Sequence, residues 1–392
     1  MKLLIVLSRF PYPLEKGDKL RAYYQIKELS KYNEIILCCF THSWVNKKYL
    51  KELRPYCADI KIIKLSLWKA VFNLIKTYAS EVPFQVAYFY QEKAQKEFDS
   101  FVAEHLPKHI YCQLVRVAKY AEKYTMFPKT LDYMDALSMG AERRIEKAPF
   151  YLRSMLEKEA NRLKKYEVQL FDLFDVKTII SEQDRELIKH PKNGEINIIR
   201  NGVKTDFFKP VPQQEIMHDI VFTGNMAYPP NIDGAVFLTK EILPLIQAQI
   251  PNIRLVIAGA TPTKKVQELK SDSVVVTGWV DDIRESYASS KVFIAPMRIG
   301  TGLQNKLLEA MSMQIPCVTT PLANNALGAT HKENILIGST ANELATCIID
   351  LLKDKDLREK IAKGGHDFVQ DTYDWTAFCN QLNGLIKASS SI

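Results

Sequence analysis

Short runs of apolar, mostly β-branched residues alternate with helix-length amphipathic segments along the whole chain, and few folds accommodate that rhythm. In the first half the runs are 2–8, 34–40, 60–65, 109–112, 130–134 and 176–181. In the second half they are 219–223, 254–258, 274–277, 291–295 and 316–320. Helix-patterned stretches such as 231–249, 281–289, 304–313 and 341–352 lie between them. Strand, helix, strand at this spacing predicts parallel sheets with crossover helices. Many of the runs lack polar alternation, as strands covered on both faces do. The expectation is an α/β chain built from doubly wound parallel sheets.

A length of 392 residues implies two such domains. The rhythm breaks at 201–214, where NGVKTDFFKPVPQQ holds one Gly, two Pro and no apolar period, and a fresh strand, DIVFTG, follows. We expect a first domain over 1–205, joined by a helix at 374–392, and a second over 206–373, the two facing each other across a cleft. In sheets of this kind ligands sit beyond the carboxyl ends of the strands. Functional residues are therefore expected on loops that follow strands.

Composition removes several classes. With 47% apolar and 25% charged residues, the chain is neither disordered, collagen-like nor a disulfide miniprotein. No stretch reaches the ~18–20 apolar residues of a membrane span, and the apolar run 3–7 is too short for a signal-peptide core. Seven cysteines without a CxxC pair predict reduced thiols in a cytoplasmic protein and no metal site. Residues 1–200 carry 35 Lys and Arg against 25 Asp and Glu, whereas residues 201–392 carry 18 against 20. All of the net charge of +8 thus lies in the first half, which suits an anionic partner as well as a solvated basic surface. No aromatic–basic or zinc motif supports nucleic acid. One segment combines charge with an apolar face: Trp68, Val71, Phe72, Leu74, Ile75 and Tyr78 fall on one side of a helical wheel, Lys69, Asn73, Lys76 and Thr77 on the other. That pattern fits peripheral attachment to anionic lipid and equally a helix packed on a sheet.

Three loops could hold a phosphate. In SRFPYPLEKGDKLRAYYQIKELS, Gly17 opens a helix whose N-terminus can receive an anion. After strand 219–223, Gly224 and Asn225 follow, and a glycine there lets backbone approach a ligand. The third loop is IAPMRIGTGLQNKLLEAMSMQIPCVTT. Gly300 and Gly302 punctuate it, a helix begins near Gln304, and Lys306 and Glu309 share one face at i, i+3 spacing. A helix start, two glycines and a lysine suit a diphosphate; a carboxylate one turn on suits a ribose diol. The alternative is a surface Lys–Glu pair. No GxGxxG, GxxxxGK[ST] or GxSxG occurs where a dehydrogenase, nucleoside triphosphatase or serine hydrolase would need it.

These pieces occur in a specific order: FPYPLEKGDKLRAYYQIKELS, VKTIISEQDRELI, IIRNGVKTDFF, IVFTGNMAYPPNIDGAVFL, LVIAGATP, VVVTGWVDDIRESYASSKVFIAPMR and GTGLQNKLLEAMSMQIPCVTT. Together they resemble the retaining glycosyltransferases of family 4 (group 1), with the GT-B fold of two facing Rossmann-like domains. PYPLEKGDKLR, GNMAYPPNIDG and GLQNKLLEAM further resemble the branch that builds exopolysaccharide and other surface glycans. The resemblance implies transfer of a hexosyl unit from a UDP- or GDP-linked sugar to an acceptor hydroxyl of a glycan or lipid-linked precursor. It implies no metal or other cofactor, and it favours a peripheral position at an anionic membrane. It places Gly17 near the donor phosphate and sugar, and Gly224 and Asn225 beside the diphosphate. Thr301, Gly302 and Leu303 would hold donor phosphate and sugar, Lys306 would neutralise the diphosphate, and Glu309, the second Glu of the family's two-glutamate motif, would bind the ribose. The loop of Gly278 and Val280 would meet the base.

The chain departs from the family pattern at three places. Thr301 stands where the motif's first Glu would fall. Asn225, with Asn231 and Asp233, stands where Arg and Lys are usual, which leaves Lys306 more of the diphosphate charge. Met134 replaces a common His after the strand ending LDYMDALS. Asp132 and Asp135 at that strand's end are acceptor-side candidates, able to orient a hydroxyl or stabilise an oxocarbenium-like transition state; otherwise one caps the following helix. Asp135 is favoured, with Lys306, as catalytic, and His109 is read as structural. Two other readings remain open: a nucleotide-sugar epimerase, and a GT-B protein that binds without catalysing.

Overall fold

The computed structural model describes residues 1–14, 16–211, 215–299 and 303–390. They form two compact units, one of Met1–Asn201 with Trp375–Ile392 and one of Gly202–Asp374. Among the described residues the first unit holds strands β1 (Lys2–Leu7), β2 (Glu34–Thr41), β3 (Asp59–Lys64), β4 (His109–Gln113), β5 (Lys129–Met134), β6 (Val176–Ile179) and β7 (Asn197–Ile198). They run in the order β3-β2-β1-β4-β5-β6-β7. The second unit holds β8 (His218–Thr223), β9 (Leu255–Ala258), β10 (Val274–Val276), β11 (Ser290–Ala295), β12 (Cys317–Thr319) and β13 (Leu336–Ile337), in the order β10-β9-β8-β11-β12-β13. All these pairings are parallel.

The unbroken apolar runs are explained by what covers them. Along β1, Leu4 and Val6 join Ile36, Cys38, Phe40 and Ile110 in one core. Leu3, Ile5 and Leu7 join Ile35, Leu37, Cys39 and Tyr111 in a second core on the other face. Side chains alternate between faces of a strand, so the neighbours Cys38 and Cys39 point into different cores; all seven cysteines are free.

Two features were hidden from the periodicity. β7 and β13 are two residues each, too short for any period. The stretch expected as one helix over 231–249 is a helix at Pro229–Phe237, a π-turn at Leu238–Ile242 and a helix at Leu243–Gln247. Pro244 has no N–H to donate within a regular α-helix, and the widened turn comes just before it. Helix Leu67–Thr77 sets polar Asn73 inward, where its Nδ2 donates to the carbonyls of Tyr90 at 2.8 Å and Ala87 at 3.3 Å. No helix among the described residues is long and apolar enough to cross a membrane.

Candidate active site

In the second unit the crossovers reverse direction between β8 and β11, and a doubly wound sheet opens a crevice at such a point. The loop after β8 carries Gly224 and Asn225. The loop after β11 leads to helix Asn305–Ser312, which carries Lys306 and Glu309, with Leu303 just before it. Thr301 and Gly302 lie outside the described residues. Gly278 and Val280 follow β10, and the Gly278 carbonyl accepts from the Gly259 N–H at 3.1 Å, tying that loop to the end of β9.

Positive φ angles and crowding both favour glycine at two positions here, against backbone at one and against a side chain at the other. Gly259 has φ +137°, and a Cβ on it would lie 1.9 Å from the Gly224 carbonyl oxygen. Gly224 has φ +152°, and a Cβ there would lie 2.6 Å from Asn231 Nδ2. Asn231 occupies that space for a reason. Its Nδ2 donates to the Asn225 carbonyl at 2.9 Å, and its Oδ1 accepts from Lys306 Nζ at 2.5 Å. One carboxamide therefore couples the β8 loop to the lysine. Asn225 is tied into the same loop by its own Oδ1, which accepts from the Ala227 N–H and from Thr261 Oγ1, both at 2.9 Å. Gly259 escaped the sequence reading, and Asn231 entered it only as a replacement for a usual cation, not as the residue that joins the loop to the lysine. The strand-then-glycine pattern of LVIAG, which repeats that of IVFTG, was the available signal for the first.

Lys306 is the electrostatic centre of this group. Burial pushes its pKa down to about 7, against the pull of Glu309. Its other neighbours are the Phe222 ring, 4.7 Å from Nζ, and Met297 Sδ at 3.8 Å. The other cation after β11, Arg298, is held by Asp233 at 2.9 Å and Glu241 at 3.2 Å. Among the described residues Lys306 has no carboxylate within ion-pair distance. An ammonium with three donors, one of them on Asn231, can accept an anion here at little rearrangement. Glu309 lies on the same helix face. Burial raises its pKa, opposed by the Tyr287 hydroxyl, which donates to Oε2 at 2.8 Å, and by Lys306. Tyr287 also pairs with Thr223 Oγ1 at 2.8 Å, so the glutamate is oriented from the end of β8. No motif marked Tyr287 in the sequence. The opposite helix face, Leu307, Leu308, Ala310 and Met311, is buried and fixes the rotation that presents both charged groups.

The first unit separates the two aspartates. Asp132 is fully buried. Its Oδ2 takes Arg21 Nε at 2.6 Å and Tyr111 OH at 2.7 Å, while Oδ1 takes Arg21 Nη2 and the Met134 N–H, both at 3.1 Å. The expected acceptor-side role of Asp132 does not fit this geometry: both oxygens are occupied inside the core. Asp135 is exposed, one residue beyond Met134, which has φ +66°. Partial loss of hydration raises its pKa to about 6; Asp184 pushes the same way, Arg116 opposes, and Asp18 and Asp132 add to the rise. A Cβ on Gly17 would meet Met134 Cε at 3.5 Å, an ordinary contact. Gly17 therefore lies beside the Asp135 turn, and available space does not demand a glycine there. His109 is buried, with Nδ1 on Ser390 Oγ at 2.9 Å and Nε2 on Thr130 Oγ1 at 2.8 Å, in keeping with a structural role.

Neither aspartate caps the helix that follows, Leu137–Lys147. Glu167 reaches its first turn instead, accepting from the Ser138 N–H at 3.0 Å and Ser138 Oγ at 2.6 Å. Burial pushes the Glu167 pKa up to about 7, the Ser138 bonds pull it down, and Asp135 adds to the rise. A carboxyl raised above its unfolded value of about 4.3 contributes stability that is full below that value and lost as pH rises through 7. Glu167→Gln, neutral throughout, should therefore gain on wild type by on the order of 2–3 kcal/mol between pH 4 and pH 8. Urea melts at the two pH values read this directly; equal wild-type and variant slopes would exclude it.

Residues 217–354 match the family described as Glycosyl transferases group 1. The chain is 24% identical over 396 residues to an uncharacterised 44.6 kDa protein in the cps region of Klebsiella pneumoniae, covering 95% of this chain and 96% of that one. Its structure is similar to sucrose-phosphate synthase from Thermosynechococcus elongatus, with TM-score 0.70 and 16% identity over 99% of each chain. It is also similar to Anabaena HepE in complex with UDP-glucose, with TM-score 0.65 and 13% identity over 100% of each chain. At these identities the structural likeness establishes the fold, which is GT-B.

Proposed function

We propose that this chain, a GT-B glycosyltransferase with a group 1 domain at 217–354, moves a hexosyl unit from a UDP- or GDP-sugar to an acceptor hydroxyl, with retention at the anomeric carbon and without a metal ion. The observation that carries the reading is the pair Lys306 and Glu309, on one helix face at the switch point of the second sheet. The lysine there is desolvated and, among the described residues, has no carboxylate in ion-pair contact. Its charge and the helix N-terminus, worth about half a charge, would stabilise the diphosphate as the bond from anomeric carbon to phosphate oxygen breaks. The acceptor oxygen forms the new bond, and its proton passes to the leaving phosphate. Glu309, oriented by Tyr287, would take the ribose hydroxyls. Gly224, Asn225 and Leu303 would flank the phosphates, the Gly278–Val280 loop the base, and Gly17 the donor sugar. Asp135 would act on the acceptor side. The UDP-glucose bound by HepE supports a nucleotide-sugar donor. The cps-region relative supports a surface-glycan acceptor.

Thermal-shift titration with UDP, GDP, ADP and CMP in EDTA tests the donor site. One nucleotide should raise the melting temperature saturably, and Glu309→Ala should reduce that shift strongly. No shift from any nucleotide, or an unchanged shift in the variant, would overturn the reading. Product analysis with and without an acceptor separates transfer from epimerisation, since an isomerase needs no acceptor.

A further inference from the structure

We propose that the outer face of helix Leu67–Thr77, with a lysine-walled cavity beside it, docks on a bilayer containing anionic phospholipid. This goes beyond the transfer reaction and is read out without nucleotide. The helix is inside-out for a globular protein. Ala70 and Asn73 face the protein, Asn73 bonded to backbone carbonyls of the next segment. Trp68 is 86% exposed, Phe72 66% and Ile75 70%. An amphipathic helix packed on its own sheet presents the opposite face, so this apolar stripe awaits a partner outside the unit.

The surroundings identify that partner by charge. A cavity of about 840 Å³ opens beside the stripe, lined by Lys69, Lys76, Lys93, Lys96 and Lys119, with Glu92 as its one carboxylate. None of the five lysines forms an ion pair among the described residues. A second copy of this chain docking face to face would set lysines against lysines, which disfavours a two-fold dimer. Anionic headgroups satisfy the lysines, and the layer beneath them receives Trp68, Phe72 and Ile75, as basic amphipathic helices do at interfaces. The apolar surface also extends beyond one helix. Leu74, Ile75, Tyr78, Phe84 and Met155 line a groove of about 470 Å³. Exposed Phe150 and Tyr151 lie at the start of the helix that carries Met155. Two elements with one outward apolar character suit an extended lipid surface.

Co-sedimentation with phosphatidylcholine vesicles, with and without phosphatidylglycerol, tests this. Wild type should partition at least about tenfold more strongly onto the anionic vesicles, the preference falling with salt. Two variants change only exposed positions on different helices: Trp68→Ser/Phe72→Ser/Ile75→Ser, and Lys93→Glu/Lys96→Glu. Each should keep the wild-type melting temperature and lose at least about tenfold in partitioning, given roughly fivefold per lysine near such a surface. Wild type indifferent to phosphatidylglycerol, or either variant binding as wild type, overturns the proposal. So does a dimer in light scattering that the triple variant dissolves while no vesicle binding is seen.

Discussion

Lys306→Met should leave the fold intact and slow sugar transfer by roughly 10²–10³-fold, the loss that follows removal of one preorganised donor aimed at developing charge. The side chain keeps most of its volume, so packing against Phe222 and Met297 survives while the charge goes. The larger effect belongs in the rate rather than in nucleotide affinity, because charge on the leaving diphosphate grows towards the transition state. The depressed lysine pKa adds a second signature. Free enzyme at pH 8 holds Lys306 mostly neutral, since burial has pushed it to about 7, and an arriving diphosphate must bring a proton with it. Donor affinity should therefore weaken by about fivefold from pH 7 to pH 8 and approach a tenfold loss per pH unit only above that, whereas Lys306→Met should show no such slope. A nucleotide sugar is the proper probe, because its phosphates stay ionised throughout this range. Calorimetric titration at several pH values, beside initial rates, measures both. A wild-type rate in the variant would remove Lys306 from the chemistry.

Asp132→Asn should cost about 3–5 kcal/mol, since it leaves the Arg21 guanidinium buried without its counter-charge. Arg21 is fully buried, and among the described residues its hydrogen-bond partners besides Asp132 are neutral, Asn201 Oδ1 at 2.9 Å and the Arg200 carbonyl at 3.4 Å. For a unit of this size the loss corresponds to a fall of roughly 6–20 °C in melting temperature. Asp135→Asn, three residues on, removes a charge that its surroundings disfavour, since its pKa is raised to about 6, and at neutral pH should leave the melting temperature unchanged or raise it. Differential scanning calorimetry of the two variants side by side distinguishes a structural carboxylate from a surface one. Equal melting temperatures would mean that the interior ion pair matters far less than its burial implies.

Those two aspartates also mark where the sequence stops speaking. Both follow one strand pattern, and nothing near them says that a helix 111 residues earlier in the chain brings Arg21 to one and not to the other. The sheets were legible because strands buried on both faces must be apolar at every position, as KLLIVL is. Lys306 and Glu309 were legible because helical spacing alone puts them on one face. Tyr287 was not, since its role comes from a contact with Glu309 across 22 residues and two elements. Helix Leu67–Thr77 was half legible. Periodicity reports that a helix has two faces, and only the packing of Asn73 reports which of them turns inward.

The first unit is assembled from two separate lengths of chain, with Gly202–Asp374 inserted between them. Asn33 holds Asn383 at 2.8 Å, Tyr24 stacks on Trp375 at 5.2 Å, and His109 meets Ser390. During synthesis the inserted unit is complete as a continuous segment before any of these partners has left the ribosome. The unit begun first is thus the one finished last, and until helix Trp375–Ser389 arrives its core around Ile26, Leu29 and Ile199 lacks Leu382 and Ile386. A chain truncated before residue 375 would carry a complete second unit and a first one with its apolar flank still open, the state in which a chaperone would find most to hold.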